Sequence, residues 1–538
     1  MTYPLETIVA WAKRKWFVYP NSEIYGGLAN MRDYGPYWSQ LRKNIYDLWR
    51  KHFVQEREDM VWLDTTILAH PTTWLASGHL AGFSDALIDD KKTGQRFRAD
   101  KIIEEYLEKV YHELAQELLD LFEKAKNNEN LGKTTYRINK IASSLRDSFE
   151  WLTDPTFIMR LNKPGENNLQ CSERLLWEYV KKVYLFQNLS PEAWGNEGMH
   201  AFIIGEKLKN PTTGKDADWT EVRQFNLMLN THLGPVADDA NKVYMRPETC
   251  QSLFTDFKNV LDTTRMRIPF GLAQIGKAFR NEITPGQFLY RVREFEQMEI
   301  EYFVPADATE AQKYYDQRKS DSWTYWTEII GISSENLRFK DHDKLAHYAA
   351  AATDVEYRFP RGFGEVQGVH NRTDFDLRQH QEYSKKDMQY SDPKTGQRYI
   401  PRCIEASTGL GRQVMVTMLE FYDEETVNVG TDQESVRTVV RFPFQLAPVK
   451  YAILPLMEKD DNMVDLGRKI FNKLKKKFNC EFDLGGAIGK RYRRQDEIGT
   501  PYCICVDHQS LEDGTVTIRD RDTMEQVRVK WEEIGEDR

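Results

Sequence analysis

The chain holds no C-x-x-C pair. Its six cysteines stand at 171, 250, 403, 480, 503 and 505, too scattered for a disulfide framework or a zinc site. The eleven histidines show no ligand spacing either, so no structural metal is expected. No apolar run approaches the ~18 residues of a membrane span. The N-terminal MTYPLETIVAWAKRKWF puts its basic cluster after a short apolar run, the reverse of a secretory signal, and a cytoplasmic location is expected. Positive charge is in deficit: 74 Lys and Arg against 83 Asp and Glu leave a net charge of -9. That balance argues against non-specific coating of nucleic acid, although local basic patches remain at Lys475 to Lys477 and in GKRYRRQD (489–496). Internal repeats and low-complexity segments are absent.

What is present is a globular composition, 40% hydrophobic and 29% charged over 538 residues, long enough for two or three domains. Residues 21–100 are rich in turn signals around one amphipathic helix, SQLRKNIYDLWRKHF. Residues 101–190 change to helical spacing (IIEEYLEKVYHELAQELLDLFEKA, SERLLWEYVKKVYLF) and suggest a helical insertion. Short alternating runs between about 200 and 305 suggest antiparallel strands. After Phe444, strand and helix alternate, as in a small α/β domain with a mixed sheet.

Three stretches carry chemistry. In NSEIYGGLANMRDYGPYWSQLRKNIYDLW (21–49), Gly35-Pro36 stops an extended run before a long helix burying Leu41, Ile45 and Leu48. In FRNEITPGQFLYRVREFEQMEIEYF (279–303), alternation places Arg280 and Glu282 on one face of a first strand. It places Arg291, Arg293, Phe295, Gln297 and Glu299 on one face of a second. An arginine two residues from a glutamate can grip a phosphate while the carboxylate accepts from an amino group. In IEASTGLGRQVMVTMLEFY (404–422), a strand runs through a glycine turn into a helix whose first turn holds Arg412, and helix N-termini favour anions. Taken singly, each has an ordinary reading: a Gly-Pro turn beside a helix, a solvent-facing ion pair, a common strand-to-helix turn.

Together, in this order, they resemble the three signature motifs of class II aminoacyl-tRNA synthetases. SEIYGG, DYGP, RPET, PFGLAQIGKAFRNEITPG, REFEQMEIEYF, TDFDLRQH and GKRYRRQDEIGTPYC are similar to the dimeric glycyl-tRNA synthetase family. The resemblance implies an α+β catalytic domain, an antiparallel sheet flanked by helices, in two parts (1–100 with the first motif, 191–443 with the other two). A helical insertion (101–190) and a C-terminal α/β anticodon-binding domain (444–538) complete it. It implies ATP-dependent attachment of glycine to tRNA(Gly) through a glycyl-adenylate, with ATP and Mg2+ required, and a homodimer.

The residues it implicates are Arg280, Glu282, Arg291, Arg293, Phe295 and Arg412 for ATP, with Arg280, Glu282 and Arg412 in the catalytic role. Phe295 would stack on adenine. Arg412 would cover its other face or the γ-phosphate, and Arg291 or Arg293 would reach the terminal phosphates. Glycine would have its ammonium caged by Glu248, Glu299 and Glu405 with Ser407, and its carboxylate met by Arg372. Glu365 lies near the pocket segment. Lys490, Arg491, Arg493 and Arg494 would contact the tRNA backbone. The chain departs from the family pattern at Asn371, Ala406, Gly411 and Ser252. The segments where relatives carry cysteines read IDDKKTGQRFR and GEKLKNPTTGKDADWT, so no zinc knuckle is expected. Two rivals stand beside this reading: a synthetase for another amino acid such as threonine, proline, serine or histidine, and a non-catalytic nucleic-acid-binding protein on the same scaffold. The motif arginines argue against the second.

Overall fold

A computed structural model describes residues 3–106, 195–235, 241–282, 288–342, 345–346, 348–432 and 434–535. The chain divides into two compact units, Met1–Phe83 with Leu227–Arg538, and Ser84–Asn226.

The first unit is built on a seven-stranded sheet. Helix α1 (Pro36–Arg50) begins with proline at its first position, where a missing N–H costs nothing, and buries Trp38, Leu41, Ile45 and Trp49. The strands are β1 (Met60–Trp62), β2 (Phe270–Phe279), β3 (Glu294–Val304), β4 (Leu337–Asp341), β5 (Ala351–Phe359), β6 (Gly362–Thr373) and β7 (Arg402–Gly409), in the spatial order β4-β5-β6-β7-β3-β2-β1. Every pairing is antiparallel except β2 with β1.

Strand β3 shows why the sheet has two characters. Met298, Ile300, Tyr302 and Val304 point into the main core, which also holds α1 and Leu410–Phe421. The alternate residues face the other way, and along them chemistry changes. Phe303 packs with Phe254, Phe257 and Phe270 under the helix Cys250–Thr264. Glu301, Glu299, Gln297 and Phe295 then follow on the same face. The four glutamates of this stretch split accordingly: Glu294 and Glu296 pair with Lys277 and Arg42, leaving Glu299 and Glu301 buried on the opposite face.

The arginines of the hairpin lie outside its strands, which corrects the expected alternation. Strand β2 ends at Phe279 and β3 starts at Glu294, so Arg280, Glu282, Arg291 and Arg293 belong to the connection. One further rung, Arg280 N–H to Arg293 C=O at 2.9 Å, holds its base together.

Gly276 has a spatial requirement. A Cβ there would lie 2.1 Å from Nη2 of Arg246, whose buried guanidinium donates to the Lys277 carbonyl and to Thr65. Gly276→Ala is expected to lower stability by about 1–3 kcal/mol through overpacking, read as a fall in thermal midpoint. An unchanged midpoint would show that Arg246 moves aside freely.

The C-terminal part of this unit forms a five-stranded mixed sheet, in which Tyr451–Pro455 lies between Cys480–Phe482 and Tyr502–Val506 and runs parallel to both. Buried Asp496 accepts from Arg437 at 2.9 Å and Arg519 at 2.8 Å.

In the second unit Ser84–Asp90 pairs with both Gln95–Arg98 and Arg223–Asn226. This unit therefore starts before and ends after the helical block expected at 101–190, because strands from both flanks share one sheet. From residue 107 to its end at 190 that block lies outside the described residues. Two turns meet here through side chains: Asn210 Nδ2 donates to Asp90 Oδ2 at 2.8 Å, and the Thr212 and Thr213 amides donate to Asn210 Oδ1. Among the described residues no helix is long and apolar enough to cross a membrane.

Candidate active site

The polar face of β3 lies between β7 and β2, and the register aligns two rows across the sheet. One row is Gln274, Glu299, Ser407 and Gly368; the next is Leu272, Glu301, Glu405 and His370. Glu299, Glu301 and Glu405 thus converge, with carboxylate oxygens within 4.8 Å of one another, all buried. Glu301 went unnamed as a candidate in the sequence, yet it is the next same-face residue after Glu299, so alternation alone could have found it.

Glu248 comes from the turn before the helix Cys250–Thr264, and that turn is stapled to the sheet. Thr249 donates its hydroxyl to Glu299 at 2.7 Å and its amide to Gln297 at 3.2 Å, while Gln274 donates to the Thr249 carbonyl at 2.6 Å. The Glu248 carboxylate meets His79 Nε2 at 3.3 Å and accepts from Cys250 Sγ at 2.8 Å. Ser407 accepts from Gln297 at 3.3 Å.

Charge is unevenly balanced. Burial, then the charge of Glu405, pushes the carboxyls of Glu299 and Glu301 well above the usual range. One oxygen of each, Oε1, is buried without a hydrogen-bond partner among the described residues. Burial opposes ionisation of Glu405 too, but Arg372 and His370 outweigh it and hold that carboxyl at about 2. For Glu248, His79 and Arg372 likewise prevail over burial and lower it well below the ordinary value. The pocket therefore offers two stable carboxylates and two that are costly to ionise until a cation arrives.

Arg372 corrects an expectation. Rather than facing a substrate carboxylate, its guanidinium donates to Asp376 at 2.8 and 2.9 Å and to Glu405 at 2.6 Å, over the ring of Tyr348 at 4.4 Å. It is buried and orients Glu405. Asp376, four residues on and already in the helix Phe375–Ser384, carries no signal in the sequence because its partner is set by a tertiary contact.

The phosphate-binding candidates gather nearby. Arg280, Glu282, Arg291, Phe295, Glu365, Ser407 and Arg412 line one cavity of about 120 Å³. Arg280 donates to the Pro247 carbonyl at 3.0 Å, next to Glu248, and its guanidinium sits 5.4 Å from the rings of both Phe83 and Phe295. Arg412 lies over Tyr290 at 4.2 Å and meets Glu365 at 3.3 Å. Arg293, by contrast, is committed to the carbonyls of Glu282 and Ala29, whereas exposed Arg291 stands 3.8 Å from Glu282. A wider cavity of about 540 Å³ shares Phe295 and Gly411 and is lined from the first motif by Asp33, Trp38 and Arg42.

Of the tRNA candidates, Lys490 and Arg494 are exposed, Arg494 beside Asp483 at 2.6 Å. Arg493 is half-buried. Arg491 is a correction: it is buried and donates to the carbonyls of Gly486, Pro455 and Leu456, which makes it an internal clamp.

Known proteins are similar to this chain. Residues 235–421 match the model of the tRNA synthetase class II core domain (G, H, P, S and T), and residues 450–536 match an anticodon binding domain. The chain is 44% identical over 533 residues to a glycine–tRNA ligase of Acetivibrio thermocellus, covering 98% of this chain and 96% of that protein. The chain belongs to the glycine–tRNA ligase family. A relative of the same name from Staphylococcus aureus is 42% identical over 537 residues, covering 99% of this chain and 98% of that protein. The fold of this ligase is also similar to that of Giardia lamblia prolyl-tRNA synthetase in complex with prolyl-adenylate, at 12% identity and a TM-score of 0.54, over 99% of this chain and 77% of that one. The fold is that of a class II synthetase with an anticodon-binding domain.

Proposed function

We propose that this ligase joins glycine to ATP as an adenylate and passes the glycyl group to tRNA(Gly), with the glycine ammonium held by Glu248, Glu299 and Glu405. The convergence of buried carboxylates on one sheet face, two of them with an unpartnered oxygen, carries this reading. A lone ammonium supplies both the missing hydrogen-bond donors and the missing charge. Glycine has no side chain to grip, so recognition must rest on its amine and on crowding. Rejecting one added methyl group is worth only about 1–3 kcal/mol.

The chemistry needs positioning and charge neutralisation more than covalent work. Arg280, resting against the residue before Glu248, would bridge the glycine carboxylate and the α-phosphate as the carboxylate oxygen attacks and pyrophosphate leaves. Phe295 would meet adenine, Glu282 its amino group, and Arg412 the γ-phosphate or the purine. Between Arg291 and Arg293, Arg291 suits the terminal phosphates because it lines the cavity and, among the described residues, keeps its guanidinium clear of backbone carbonyls. The cavity of about 120 Å³ is smaller than the ~300 Å³ or more of ordinary ligand pockets, so nucleotide entry must part Arg412 from Glu365. Magnesium fits beside the phosphates, where the exposed carboxylate of Glu365 and the Ser407 hydroxyl line the same cavity; bound there it would neutralise phosphate oxygens. Homodimer formation rests on the family resemblance.

Pyrophosphate exchange across a panel of amino acids tests the assignment. Exchange is expected with glycine and not with serine, proline, threonine or histidine. Exchange with serine or proline but not glycine would overturn it.

A further inference from the structure

Beyond the glycine pocket, the same sheet face carries His342, Asp354 and His370. Each offers a ligand atom, and these atoms lie within 4.8 Å of one another. Three strands bring them together. His342 follows β4 and donates its amide to the Ala352 carbonyl at 3.0 Å. Asp354 in β5 stands opposite Gly368 in β6, and His370 stands opposite Ala352. The residues between them on this face thus carry one methyl group and no side chain, which leaves a cradle over the sheet. A Cβ at Gly368 would meet Nε2 of His370 at 3.1 Å and Oδ1 of Asp354 at 3.8 Å. His342 Nε2 reaches the Asp354 carboxylate at 2.9 Å.

The other nitrogen of His370, Nδ1, faces Glu405 at 3.4 Å. A histidine presenting one ring nitrogen to an open cradle and the other to a carboxylate is the arrangement found behind metal-ligating imidazoles. Two imidazoles and one carboxylate suit zinc, cobalt or nickel, whereas magnesium prefers oxygen ligands. Glu365 lies close enough to act electrostatically on Asp354, and adds negative charge beside the cradle.

We infer that His342, Asp354 and His370 form a divalent transition-metal site whose third ligand, His370, couples the bound ion to Glu405 of the glycine pocket. Three protein ligands leave the remaining positions to water. An ion on Nε2 fixes the ring and makes Nδ1–H a firm donor to Glu405, which draws charge from the carboxylate that would meet the ammonium.

The test uses the full chain, stripped by chelator and titrated with Zn2+ alone by calorimetry, with Co2+ absorption as a second reporter of imidazole ligation. One zinc per chain is expected. His342→Ala and Asp354→Asn should each weaken it at least about tenfold and abolish the cobalt spectrum. Absence of binding, or binding unchanged in both variants, would overturn the site, since the ion would then sit elsewhere, for instance on cysteine. In pyrophosphate exchange, Zn2+ should raise the KM for glycine several-fold in the parent and not in His342→Ala. An unchanged KM despite binding would overturn the coupling. Only this second arm rests on the function proposed above, so its failure and that of the binding arm are separable.

Discussion

Arg280→Gln will abolish adenylate formation while leaving tRNA binding nearly intact. Loss of a charged donor aimed at charge developing in the transition state costs about 3–4 kcal/mol, roughly 10²–10³-fold in rate. Arg280 also contributes packing, because its guanidinium lies 5.4 Å from the rings of both Phe83 and Phe295. Glutamine keeps much of the stem and removes the charge, so Arg280→Gln and Arg280→Ala should be equally inactive in glycine-dependent pyrophosphate exchange, with Arg280→Ala alone melting earlier. Filter binding of tRNA should stay near the parent value in both. Undiminished exchange in either variant would remove Arg280 from the reaction.

Glu299→Gln is expected to separate activity from stability. Glutamine retains an acceptor for the Thr249 hydroxyl but cannot balance an ammonium, and losing one charge from a buried pair costs roughly 3 kcal/mol or more, about 10²-fold in kcat/KM for glycine. The empty protein should gain. The Glu299 carboxyl is raised above its unfolded value by burial and by Glu405, so the folded state binds its proton more tightly than the unfolded chain does. No penalty exists below about pH 4.3, where the carboxyl is protonated in both states; the penalty grows as pH rises through the folded value. The glutamine variant should therefore melt roughly 2 °C or more above the parent at pH 8 and coincide with it near pH 4. A lower midpoint at pH 8, or an unaltered glycine KM, would show that Glu299 neither strains the pocket nor meets the amine.

The legible parts of this molecule were those set by local rules. Pro36 after Gly35 marks the start of α1, and alternation along 294–304 orients Glu299 correctly. The glycine turn at 409–411 places Arg412 in the first turn of Leu410–Phe421. What escaped was decided by distant partners. Arg372 reads as available because Asp376 lies four residues on, across a strand-to-helix junction, and Glu405 lies 33 residues away, and nothing local says that both converge on it. Arg491 looked like one more surface charge in a basic run until the fold wrapped carbonyls of Pro455 and Leu456 around it. The charge pattern of the hairpin arginines mimics strand alternation, whereas the strands end at Phe279 and start at Glu294. His79 reaches the pocket from the four-residue helix His79–Gly82 and Thr249 from the turn before Cys250–Thr264, segments too short to show a period.

Strand β3 uses a single zigzag for two purposes. Met298 and Ile300 are sunk in the core, and the residues interleaved with them aim the acids. Sliding the strand by one position would expel the oily side chains and bury the wrong partners in the same movement. An inserted or deleted residue between 294 and 304 is therefore expected to disturb the core packing and the placement of the acids together.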